Sequence, residues 1–176
     1  MELRNGFTLA LLVAVLCLVL PSMAMGQTAD VPDPAYSAGA FLGFNHYDQP
    51  QMKGGAFFDV RIADKTYNES TLNMTSQVAT VTTSIKRYFY TTPAGTVKLF
   101  GNVAVGVATG DGVTSGVFAG GGGVKLMLAG VASKFPALKL FGSVPGAFTT
   151  GAVNVQQING LGVSPTFTFA IGVDFK

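Results

Sequence analysis

Thr166-Phe167-Thr168-Phe169-Ala170-Ile171-Gly172-Val173-Asp174-Phe175, or TFTFAIGVDF, decides the fold class. Phe167, Phe169, Ile171, Val173 and Phe175 fall on one face of an extended chain, and Thr166, Thr168, Ala170, Gly172 and Asp174 on the other. A period of two marks a β-strand, because successive side chains leave a pleated backbone on opposite sides. One face is wholly apolar. The other is small and nearly uncharged.

The same alternation recurs upstream. Val97, Leu99, Val103, Val105 and Val107 oppose Lys98, Phe100, Asn102, Ala104, Gly106 and Ala108. Ala56, Phe58, Val60 and Ile62 oppose Phe57, Asp59, Arg61 and Ala63. Phe118, Val124, Leu126 and Leu128 oppose Ala119, Gly121, Gly123, Lys125 and Met127. Leu138, Leu140 and Val144 oppose Lys139, Phe141 and Ser143. No comparable stretch past residue 35 follows a helical period, so the chain reads as all-β. Asp48-Gln49-Pro50-Gln51, the 91–95 segment TTPAG and Lys134-Phe135-Pro136 punctuate the strands. Gly110-Asp111-Gly112 is a hairpin signal, since Asp-Gly supplies the positive φ values of a type I′ turn.

Two strand counts fit this punctuation. One makes 66–75 a loop and Ala152–Asn159 a strand; the other makes 66–74 a short polar strand and 149–163 a long loop. In a closed barrel, short turns and long loops alternate between the two ends. The second count puts connections 48–51, 75–76, 110–112 and 149–163 at one end. The turn near Lys65, then 91–95 and 129–136, fall at the other. That count is preferred because it gives eight strands with the longest connection on the extracellular side. It places Pro145 in the seventh strand, where a residue with no N–H to donate predicts a bulge.

Composition sets the environment. The 176 residues are 48% hydrophobic and only 11% charged, where about a quarter is usual for a soluble domain. High hydrophobicity and low charge exclude intrinsic disorder. The composition also lacks the charged heptads of a coiled coil. A net charge of +2, scattered along the chain, excludes nucleic-acid binding as a main role. The length suits one domain.

Residues 1–26 read as a secretory signal peptide. Arg4 precedes an apolar run from Phe7 to Leu20, followed by the small-residue pattern Ala24-Met25-Gly26, with cleavage expected between Gly26 and Gln27. The apolar run is shorter than the ~20 residues that span a bilayer as a helix. The one cysteine, Cys17, leaves with this segment, and Leu16 before it rules out a lipoprotein signal, so no disulfide or Cys-ligated metal is expected. Residues 27–37 form a short leader, and 38–176 the β domain. The charge deficit persists after processing.

A soluble β-sandwich needs a hydrated, charged exterior. A transmembrane barrel turns its apolar face to lipid and fills a narrow lumen with small and polar side chains. Asp59, Arg61, Lys98, Lys125, Lys139 and Asp174 are isolated charges, all on the face opposite the apolar runs. They are too few to solvate an exterior but suit a lumen.

On these features the chain resembles the small bacterial outer-membrane β-barrel proteins of the OmpA, OmpX and OmpW group, over residues 38–176. The resemblance implies an eight-stranded antiparallel up-and-down transmembrane β-barrel. In that group the final strand alternates and ends in an aromatic residue read by the barrel-assembly machinery, and Phe169, Ile171, Val173 and Phe175 match it. Three features depart from the pattern: Lys176 follows the aromatic residue, Trp is absent, and Pro145 interrupts the seventh strand. The implied partners are outer-membrane lipid and the assembly machinery. The implied state is a monomer in the bacterial outer membrane.

No catalytic, cofactor-binding or metal-binding set emerges. His46, the single histidine, lies two residues from Asp48, but without a placed nucleophile the pair meets no geometric requirement for catalysis and reads as a polar strand end. Gly120–Gly123 before Val124-Lys125 lacks the order and following helix of a phosphate loop, and reads as a strand position needing room. Asn68-Glu69-Ser70 and Asn73-Met74-Thr75 match the glycosylation sequon, which is accidental in a bacterial barrel and would contradict the barrel reading in a eukaryotic protein. Lys86-Arg87 with Tyr88, Phe89 and Tyr90 reads as a membrane-interface anchor. The expected role is non-enzymatic, structural or surface-interacting. A narrow porin or carrier of small apolar molecules, and a secreted soluble β-sandwich binding protein, are the alternatives.

Overall fold

The computed structural model describes residues 33–46, 50–131, 142–160 and 162–175. Eight antiparallel strands form one closed barrel in which each strand pairs with its neighbours in sequence and the last pairs with the first. They are β1 (Tyr36–His46), β2 (Pro50–Ala63), β3 (Thr66–Met74), β4 (Ala79–Thr91), β5 (Val97–Gly110), β6 (Val113–Met127), β7 (Ala147–Ile158) and β8 (Gly162–Phe175). A helical turn, Leu128–Val131, follows β6. Closure leaves no strand edge unpaired.

The strands are strongly staggered. The pairing runs from Tyr36 to Val60, Asn68, Ile85, Val103, Gly120, Val155 and Pro165, and returns to β1 beside Asn45, the partner of Thr166. The circuit climbs about ten residues along β1, as strand tilt in a closed barrel requires. Bulges interrupt the ladder between Arg61 and Ala63 and between Tyr88 and Tyr90. Asp111 and Gly112 turn with φ of 51° and 76°, the two positive values expected of Asp-Gly.

The alternation read from the sequence sorts inside from outside. Leu42, Met52, Phe58, Leu72, Val81, Ile85, Val103, Phe118 and Phe169 are exposed on the outer surface. Exposed large apolar side chains occur on β1 to β6 and on β8, and Phe169 at the C-terminal strand is 64% exposed. A soluble monomer rarely exposes an apolar patch beyond a few hundred Å², so a surrounding belt of this kind calls for lipid. Val103 stands mid-strand on this belt, and Val103→Arg should cost about 2–4 kcal/mol of folding free energy in bilayers. Urea unfolding from lipid vesicles checks that value.

Eight strands were expected, and the seventh is displaced from its expected place. Ala147–Ile158 is a strand, where a loop over 149–163 was predicted. Thr66–Met74 is a strand as expected, so each count was right about one segment. The misreading has a physical origin: the outward positions of β7 carry Thr149, Gly151 and Gln157 beside only Val153 and Val155, so its apolar face is faint. Pro145 makes no bulge. It lies in the turn before β7, followed by Gly146 at φ 76°. The first strand begins at Tyr36, two residues inside the expected leader, because Tyr36 and Ser37 pair with Phe175 and Asp174.

The long connection is therefore at the other end. β6 ends at Met127 and β7 begins at Ala147, both at the end that carries Tyr36 and Phe175, whereas β1 and β2, β3 and β4, β5 and β6, and β7 and β8 follow each other at the far end with only two to four residues between them. The expected signal peptide, with Gly26 and Gln27, lies outside the described residues, as do Asp48, Lys139 and Lys176.

Candidate functional site

The lumen is divided into two regions along its axis. The half nearest the termini is filled with charge and aromatic rings, and the other half is hollow.

The filled half begins with Asp59 on β2, Glu69 on β3 and Lys86 on β4, neighbours on consecutive strands whose side chains all turn inward. Lys86 Nζ lies 3.1 Å from Asp59 Oδ2 and also bonds Glu69 Oε2. Ser84 Oγ donates to Glu69 Oε1 at 3.3 Å. Lys125 on β6 pairs with Asp174 on β8 at 2.5 Å, and Ser37 Oγ donates to the same carboxylate at 2.7 Å. Aromatic rings pack between these groups. Tyr67 and Tyr88 meet edge to face with centroids 5.5 Å apart, and Phe100 stands 5.7 Å from Tyr88. Lys125 Nζ sits 3.7 Å from the centre of the Phe148 ring, a close cation–π contact.

The segment before β1 closes the end. Asp33 pairs with Lys98 on β5 at 2.9 Å, reaching the wall opposite β1. Arg61 Nη1 donates to the Asp33 carbonyl at 2.9 Å, and Tyr67 Oη to the Pro34 carbonyl at 3.0 Å. Buried charges are tolerated only when paired and hydrogen-bonded. Every carboxylate inside this half has an ammonium partner.

Four of the six charges read as lumen-facing, Asp59, Lys98, Lys125 and Asp174, lie in this layer. Arg61 is exposed at its rim, and Lys139 is outside the described residues. Lys86 corrects the anchor reading. It is buried in the lumen with Tyr88, and only Arg87 of the basic pair faces outward. Period two carried that information, because Val81, Thr83, Ile85 and Arg87 lie on the opposite parity. Glu69, Asp33 and Lys53 were also missed. Glu69 lies on a strand whose outer face begins with Thr66, Asn68 and Ser70 and turns apolar only at Leu72 and Met74, so the signal that orients it is weak.

An inner cavity of about 110 Å³ lies where the two halves meet: Glu69, Lys86, Phe100 and Phe148 of the filled layer form its floor, and Lys53, Asn73, Asn102, Asn154 and Gln156 line it further on. Beyond it a vestibule of about 530 Å³ shares Asn73 and Gln156 and reaches Gln51, Gln77, Asp111 and Gly160 at the far-end turns. Among the described residues the lumen is thus a cup, open at the far end and packed with side chains at the other.

The remaining candidates are quickly placed. His46 ends β1 opposite Pro50. Gly120–Gly123 lies within β6, where a Cβ at Gly121 would strike the Val153 carbonyl and the Asn154 side chain, so the glycines provide room. Asn68 faces outward and donates to Thr83 Oγ1 at 3.2 Å, while Asn73 is buried in the lumen. Phe169, Ile171 and Phe175 face outward at 64%, 37% and 45% exposure, with Val173 half-buried on the same side. Among the described residues, no group of three or more His, Cys, Asp or Glu side chains could hold a metal ion.

No protein-family model matches the chain, and no curated protein matches it in sequence. Solved structures do match. A de novo designed transmembrane β-barrel superposes with a TM-score of 0.53 at 10% identity, over 80% of this chain and 96% of that one. Neisserial surface protein A (NspA) superposes with a TM-score of 0.53 at 13% identity, also over 80% and 96%. With an apolar belt outside, paired charges within and every strand edge closed, the chain has the fold of the small transmembrane β-barrels.

Proposed function

We propose that the protein is a monomeric outer-membrane β-barrel with a non-enzymatic structural or surface-interaction role, inserted with both termini toward the periplasm. The observation that carries this reading is the closed half of the lumen. Its ionised side chains are engaged with one another, an arrangement that supports barrel stability and leaves no through-passage for solute. The far end then faces the exterior, and its short connections make the open mouth and rim the presented surface. Phe169, Ile171, Val173 and Phe175 form an outward face on the last strand, suited to reading by assembly machinery before closure.

The same observation disfavours a porin. A carrier of small apolar molecules is disfavoured by the buried Lys53 and the asparagines that stand among the apolar side chains of the lumen, and a β-sandwich by closure of a single sheet. The folded protein should show a heat-modifiable gel shift in detergent and be recovered with outer membranes. Planar bilayers holding it should show no conductance steps. Monodisperse behaviour without detergent would overturn the membrane placement, and reproducible conductance steps the closed lumen.

A further inference from the structure

Among the described residues, one charge of the lumen has no counter-charge. Lys53 on β2 is only 6% exposed and lines the inner cavity. Among the described residues its ammonium has no ion pair and no hydrogen bond; its recorded contact is with the Phe41 ring, 6.0 Å away. The carboxylates deeper in the lumen are taken, Asp59 and Glu69 by Lys86 and Asp174 by Lys125.

The same chamber gathers unused amides. Asn45, Asn73, Asn102 and Asn154 each carry a buried side-chain oxygen without a hydrogen-bond partner. Asn73, Asn102 and Asn154 line the inner cavity, and Asn45 lines the vestibule. Buried polar atoms are nearly always paired, and water can satisfy an amide. Water cannot neutralise a buried ammonium, whose burial without an opposite charge is costly. A lumen filled only for stability would place a carboxylate beside Lys53, as it does for the other three inward lysines.

We propose that the open half of the lumen is a binding site for a small hydroxylated acid. The acidic group docks on Lys53 in the inner cavity, a charge-assisted contact. Hydroxyl groups donate to the asparagine oxygens, and the rest of the molecule occupies the vestibule, which opens at the far end. Entry and exit share one mouth, so the site retains solute and does not pass it on. The proposal depends on the membrane-barrel reading only for the side from which the ligand arrives.

The test uses the full folded barrel in detergent micelles, with D-glucuronate as probe and D-glucose as its uncharged counterpart. NMR titration should show saturable shifts of the Asn45, Asn73 and Gln156 side-chain amides with glucuronate. Glucose should bind at least about tenfold more weakly, the loss expected for one charge-assisted hydrogen bond. Lys53→Met should weaken glucuronate by a similar factor, while Lys65→Met at the opposite turn leaves it unchanged. A second variant, Asn73→Asp, supplies an internal carboxylate diagonally across from Lys53, within reach of a long side chain. It should abolish glucuronate binding in a barrel that still folds. Absence of saturable shifts, equal binding of glucose, or undiminished binding in a folded Lys53→Met or Asn73→Asp variant would overturn the proposal. None of these outcomes bears on cellular placement, which fractionation tests separately.

Discussion

Lys86→Met should lower the stability of the barrel by about 3–5 kcal/mol, because it leaves two carboxylates gathered in the lumen with no cation between them. Asp59 is 1% exposed, and both it and Glu69 bond the single Lys86 ammonium. The Phe57 and Phe100 rings stand 5.5 and 5.2 Å from that nitrogen, so no other cation occupies the space around it. The loss should appear as a lower urea midpoint for unfolding from lipid vesicles at neutral pH. Neutralising the whole group, with Lys86→Met, Asp59→Asn and Glu69→Gln together, should recover most of it. Breaking a buried ion group is far costlier than replacing it entirely. A single variant as stable as its parent would show that the three side chains are not confined together.

Gly172→Val should prevent the barrel from closing. Gly172 on β8 pairs with Gly39 on β1, across the seam where the last strand meets the first. A Cβ at Gly172 would come within 2.6 Å of the Ala38 carbonyl oxygen and 2.6 Å of the Phe148 ring. At Gly39 it would meet the Ile171 carbonyl and lie 2.7 Å from the Phe57 ring. The Phe57 and Phe148 rings, 6.1 Å apart, occupy the space the two missing side chains leave. Backbone on one side and packed rings on the other leave nothing free to shift. The variant should yield no heat-modifiable species on gels, and Gly172→Ala should cost about 1–3 kcal/mol by overpacking. Gly151→Ala, whose Cβ would meet nothing within 4 Å, is the control and should fold as the parent does. Normal closure of Gly172→Val would refute this account of the seam.

The fold was legible wherever one face of a strand is consistently apolar. β8 and β5 announce themselves in this way, and the burial of Asp59, Lys98 and Lys125 follows from the parity of their neighbours. β7 was obscured because its inward side mixes Phe148, Ala152 and Ile158 with Thr150, Asn154 and Gln156 and its outward side chains are mostly small, while the preceding connection carries Leu138, Leu140 and Val144 in a strand-like spacing. The sealed half of the lumen was legible as a set of charges but not as pairs. Lys125 and Asp174 are 49 residues apart, and Lys98 and Asp33 are 65 apart. Only closure and stagger bring such residues together, and neither leaves a local trace. Lys53 was missed, although it shares the parity of the inward Phe57 and Asp59. That it lacks a partner became visible only when the other charges were matched.

The position of the sealed layer along the axis bears on how the barrel enters a membrane. In the proposed orientation the far-end hairpins must be carried through the hydrocarbon, while the end with both termini stays at the leaflet of entry. Asp59, Glu69, Lys86, Lys98, Lys125 and Asp174 all lie near that trailing end. Their journey is short, and they can remain hydrated until the wall curls around them. Among the described residues, Lys53 is the one inward lysine that travels deep into the bilayer, and it travels without a carboxylate beside it.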